Sequence, residues 1–76
     1  MTELTVSPFS VRVNGDPHDV PSPLTIEGLL RHLGRNPETP GIAVAVNDAV
    51  VRRADWAITA LADEDRVEII TASQGG

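Results

Sequence analysis

Only one sustained stretch of this chain has the periodicity of a helix. Ile26, Leu29, Leu30 and Leu33 stand at i, i+3, i+4 and i+7, which places them on one face of a short helix. Thr25 precedes them with a side-chain oxygen suited to capping. Gly34 follows, where a left-handed C′ residue ends such a helix. Gly28 sits inside the pattern at a cost of about 1 kcal/mol against Ala, and close approach of helix to sheet is its expected reason. A single helix with one apolar stripe needs a second layer to cover that stripe.

The remaining apolar segments supply that layer. Phe9, Val11 and Val13 alternate with Ser10, Arg12 and Asn14, the period of a half-buried strand. Asn14-Gly15 is a hairpin signal, because both positions tolerate positive φ. A short edge strand through His18, Asp19 and Val20 follows, confined by Pro17 and Pro21. Ile42 to Val46 has large residues on one face and Ala on the other, and Asn47-Asp48 turns the chain into a short strand through Val50, Val51 and Arg52. Arg53 to Ala62, with Trp56, Ile58 and Leu61, is expected to form a turn of helix and a loop. Arg66 to Thr71 makes the last strand, with Val67 and Ile69 on one face and Glu68 and Ile70 on the other. The predicted class is α+β, a sheet with one main helix on one face.

With 76 residues this is one domain with a thin core. Chemistry is therefore expected at the surface, at an end or across an interface. A hydrophobic fraction of 41% with 22% charged residues argues against disorder. The net charge of -5 and the lack of any Lys argue against nucleic acid, whose phosphates are held by clustered cations. An acidic surface is instead steered toward a basic patch on a protein. With no Cys, thiol nucleophiles and Cys-ligated metals are excluded. No apolar run approaches the roughly 20 residues of a membrane span. The N-terminus lacks the pattern of a signal peptide, so a cytoplasmic location is expected.

After Thr71 the chain reads Ala72-Ser73-Gln74-Gly75-Gly76. In extended form this tail reaches about 16 Å. All but Gln74 are small, which suits entry into a narrow channel, and glycines allow close backbone approach. The strand order and Gly-Gly end resemble the ubiquitin-like β-grasp family. Within it, Ala43-Val44-Ala45-Val46-Asn47-Asp48-Ala49-Val50-Val51-Arg52-Arg53-Ala54-Asp55-Trp56 is similar to the ThiS sulfur carriers of thiamin biosynthesis. The Thr-Ile-x-x-Leu-Leu-x-x-Leu helix and the closing Asp-x-Val-Glu-Ile-Ile fit as well. The likeness covers residues 11–76, with residues 1–10 as an N-terminal extension and residues 72–76 as a flexible tail. Arg52 departs from it, standing where the family commonly has Pro. Trp56 separates the chain from the small subunit of molybdopterin synthase.

The resemblance implies a mixed four- to five-stranded sheet. It also implies a carrier that is not itself an enzyme. A ThiF-like adenylating partner, using ATP and Mg²⁺, would activate the Gly76 carboxylate. A thiocarboxylate would form there, and its sulfur would pass to a ThiG-like thiazole synthase. The chain itself binds no cofactor or metal in this reading, and it is monomeric when free. Gly75 and Gly76 carry the chemistry. Ser73, Gln74, Arg12 and Ile70 are the expected partner contacts, the last two on the open sheet face. Arg52 and Arg53 are expected to be solvated, as are His18 and His32, and Asp63-Glu64-Asp65 to be an acidic turn. Two rival functions are a sulfur-donating subunit of molybdopterin synthase and a non-covalent ubiquitin-like docking module.

Overall fold

The computed structural model describes residues 9–21 and 23–72. Strands β1 (Phe9–Val13) and β2 (Asp16–Val20) are followed by helix α1 (Ile26–His32), β3 (Ile42–Val46), β4 (Ala49–Val51), a 3-10 turn at Arg53–Asp55 and β5 (Arg66–Thr71). The sheet order is β2-β1-β5-β3-β4. β5 runs parallel to β1 and antiparallel to β3, and the two hairpins β1–β2 and β3–β4 are antiparallel. The C-terminal strand thus lies in the middle of the sheet.

The period-two pattern decides which face is covered. Val11, Val13, Val20, Val44, Val67 and Ile69 are buried against Ile26, Leu29 and Leu30 of α1, with Trp56 and Leu61 closing the same cluster. Ile26, Leu29 and Leu30 have no exposed surface. Full burial of each such side chain contributes about 1.5–3 kcal/mol, so this short helix is held by its packing rather than by its propensity.

Both helix ends are capped. Thr25 caps the start, its Oγ1 accepting from the Gly28 N–H at 3.1 Å. The Ile26 and Glu27 N–H groups donate to the Thr59 and Trp56 carbonyls, each at 3.1 Å. At the other end Gly34 has φ +81. Its N–H donates to Arg31 O, and that of Arg35 donates to Leu30 O, the pair of bonds that defines a Schellman cap. Gly28 corrects one expectation. A Cβ there would lie 2.8 Å from Leu24 Cδ1, so the close approach is to the segment entering the helix and not to the sheet.

β2 starts earlier than the proline signals suggest and includes Pro17, which pairs with Arg12. The Arg12 N–H points the other way, to Asp65 O at 2.9 Å. On this outer strand the missing proline donor therefore leaves nothing unpaired. Two asparagines in left-handed turns clip β5 in place. The Asn14 side chain accepts from Ile69 N and donates to Ile69 O, at 2.8 and 3.2 Å. Asn47 Oδ1 accepts from Arg66 N at 2.9 Å.

Candidate functional site: the root of the C-terminal tail

β5 ends with Thr71 opposite Ile42. The next N–H, that of Ala72, donates to Gly41 O at 2.7 Å, which is the last described bond before the tail. Gly41 has φ +85, and a Cβ on it would meet the Ala72 Cβ at 3.6 Å. The left-handed backbone is what makes glycine the fitting residue there. Arg35 flanks the root from the other end of the same loop, its Nη1 donating to Thr71 Oγ1 at 3.3 Å.

The loop of residues 35–41 is therefore the frame around the tail root, and it is tied internally and from outside. Asn36 Oδ1 accepts from Glu38 N at 2.9 Å, and the Thr39 N–H donates to Asn36 O at 3.0 Å. Pro37 is buried. The Arg53 guanidinium donates to Pro37 O through one nitrogen and to Thr39 O at 2.8 Å through another. It lies 4.7 Å from the centroid of the Trp56 ring, within cation–π reach. Trp56 is buried, with its indole N–H donating to Val51 O at 2.9 Å. An open cleft of about 660 Å³ lies alongside, lined by Glu27, Pro37, Glu38, Pro40, Gly41, Arg53, Trp56 and Ala57.

The uncovered sheet face carries the remaining predicted contacts. Arg12 and Ile70 are both exposed and both lie opposite the core face, as expected. The register separates them. Arg12 pairs with Arg66, and Ile70 pairs with Ala43 at the tail end of the sheet. Four positions along β5 amount to about 13 Å. Between those ends lie Ala45, Glu68 and Val50, on adjacent strands and sharing one rung. Val50 is 77% exposed and Ile70 58%, on strands separated by β3 and on different rungs. Arg66 is paired with Asp48 at 3.3 Å, whereas Arg12 has no ion pair among the described residues.

Ser73, Gln74, Gly75 and Gly76 lie outside the described residues. Arg53 is exposed, as expected, and its guanidinium in addition reaches two carbonyls and an aromatic ring. His18 shares a rung with Val11 and is partly buried, while His32 is exposed on the helix. The acidic turn is a backbone clamp. Asp63 Oδ1 accepts from Ser10 N and Asp65 Oδ2 from Ala62 N, at 2.9 and 2.8 Å. Among the described residues no three His, Asp or Glu side chains converge as a metal site, and no helix is long and apolar enough to cross a membrane.

A five-stranded mixed sheet gripping one helix, with the C-terminal strand at its centre, defines a ubiquitin-like β-grasp domain. The model of the ThiS family matches residues 11–76, a span that includes Gly75-Gly76. The chain belongs to the ThiS family, small sulfur carriers of thiamin biosynthesis rather than enzymes.

The chain is similar to the crystal structure of a thiamine biosynthesis protein (ThiS) from Geobacter metallireducens. The TM-score is 0.74 and the identity 28%, covering 90% of this chain and 100% of that one. It is 38% identical to a thiazole synthase from Magnetococcus marinus over 90% of its own length, yet it spans only 20% of that protein. It is 34% identical to a protein called ycf40 from Pyropia yezoensis, covering 92% of this chain and 96% of that one.

Proposed function

We propose that Gly76 is the sulfur-bearing residue and that its carboxylate is activated by a ThiF-like adenylating enzyme. The observation that carries this reading is the family match running through Gly75-Gly76 to residue 76. A carboxylate is a poor acyl donor at neutral pH. Attack of its oxygen on the α-phosphate of ATP, with pyrophosphate leaving, makes the carbonyl carbon electrophilic. The terminal sulfur of a persulfide then attacks that carbon and AMP leaves. Cleavage of the resulting S–S bond by a thiol frees the thiocarboxylate. ATP and Mg²⁺ belong to the activating partner, and this chain supplies the acyl group and the surface that presents it.

The acceptor in this reading is a ThiG-like thiazole synthase. Its support is the Magnetococcus marinus protein, which is called a thiazole synthase and contains a segment 38% identical to this chain. Ser73 and Gln74 thread the partner's channel, with Ile70 and Arg12 as separate contacts on the open face. The setting is the cytoplasm, and the free protein is a monomer.

The test is the intact mass of the protein after incubation with ATP, Mg²⁺, the activating enzyme and a persulfide donor. The expected product carries one sulfur in place of one oxygen, and deletion of Gly76 abolishes the gain. No gain with a demonstrably competent activating enzyme, together with retained binding to it, would favour the docking-module reading instead.

A further inference from the structure

We infer that Arg53 is a positioning residue that holds the root of the C-terminal tail, at Ala72, in place on the domain. The inference rests on the sulfur-carrier reading for its functional consequence, but its geometry stands alone. The Arg53 fork grips the Pro37 and Thr39 carbonyls. Only Pro40 separates Thr39 from Gly41, and the fixed φ of proline transmits the position of one to the other. Gly41 O accepts the Ala72 N–H at 2.7 Å. On the anchoring side, the guanidinium rests over Trp56, which is 3% exposed and fixed through its indole N–H to Val51. A rigid core residue is thus linked through one arginine and one loop to the last described bond before the tail.

A planar fork suits this task. It satisfies two carbonyls at once from a rigid plane lying over an aromatic face, a geometry that an ammonium group on a flexible stem holds less firmly. Restricting the tail root before binding lowers the ordering cost of inserting the tail into a partner. Arg53 therefore acts on recognition of the tail by the activating enzyme and not on the acyl chemistry at Gly76.

The experiment compares R53A and R53K with the unaltered full chain. Amide hydrogen exchange is read at Ala72 and Thr39, with Val44 and Ile69 as core references. Steady-state sulfur loading is measured with varied carrier concentration. In R53A, exchange at Ala72 and Thr39 is expected to rise at least about threefold, the scale of losing one modest hydrogen bond, while Val44 and Ile69 stay unchanged. KM for the carrier rises and kcat at saturation is kept. R53K retains the charge and the stem, so it isolates the fork, and it is expected to fall between the two.

Equal acceleration of the core amides would make Arg53 a general stabiliser and overturn the proposal. An unchanged Ala72 amide beside a faster Thr39 amide would confine the clasp to the loop, and R53K matching the parent would remove the fork; either result overturns it. Failure of the unaltered protein to accept sulfur would sink the carrier reading alone, because the Ala72 exchange result is read without any partner.

Discussion

Asn14 shows how one side chain can stand in for backbone. β1 pairs with β5 at Arg12 and Val13 and then turns away. The Asn14 amide continues the ladder by bonding both polar groups of Ile69, while its own N–H donates to Val67 O at 2.9 Å. Its φ of 52 means that Ala would add backbone strain to the loss of the bonds. N14G keeps that conformation accessible and removes the amide, with a further small cost from the freer unfolded chain. It is expected to lose about 1–2 kcal/mol of unfolding free energy, read from the denaturant midpoint with an unchanged slope. The sequence announces Asn14-Gly15 as a turn because turn chemistry is local. The bond to Ile69 spans 55 positions, and no local pattern carries it. The same holds for Arg53, whose acceptors lie 14 and 16 positions away.

At the scale of elements, α1 is short and its stability has two sources that can be separated. Leu29 is fully buried, so L29A is expected to cost about 2–5 kcal/mol. A domain of this size holds on the order of 4–11 kcal/mol in total, and L29A should approach unfolding at physiological temperature. T25A removes only the cap to Gly28 and is expected to cost about 1 kcal/mol. Thermal melts of both variants check the order; a cap loss as large as the core loss would mean that the helix is not held mainly by its apolar face. This element was legible in advance because its signals are contiguous: a capping Thr, a four-residue stripe and a terminal Gly. β1, β3 and β5 were legible for the same reason, their alternation or apolar runs ending at clear turn residues. β2 was less so, since Pro17 suppresses strand propensity and only its place at the sheet edge makes it acceptable. The reason for Gly28 is not legible in the helical pattern, because its neighbour Leu24 lies just outside it.

Taken whole, the molecule places its two predicted docking residues on one face but at different ends of it. Sequence alternation alone puts Arg12 and Ile70 on the same side; only the register of β1 on β5 separates them, and register depends on long-range pairing. Ile70 pairs with Ala43 and is two residues from Ala72, so it belongs with the tail root, while Arg12 sits beside Pro17 and Arg66. At about 13 Å, the two contacts are far enough apart to act independently, since substitutions more than about 7–10 Å apart usually add within about 0.3–0.5 kcal/mol. R12A, I70A and R12A/I70A, titrated against the activating enzyme, are therefore expected to show additive losses of affinity. The R12A loss should shrink as salt is raised, because an exposed cation is screened, whereas the I70A loss should persist, as burial of an apolar side chain does. A coupling energy well above about 0.5 kcal/mol would mean that one partner element touches both residues. The open face would then be a single docking surface rather than an apolar contact at the tail root with a distant electrostatic one.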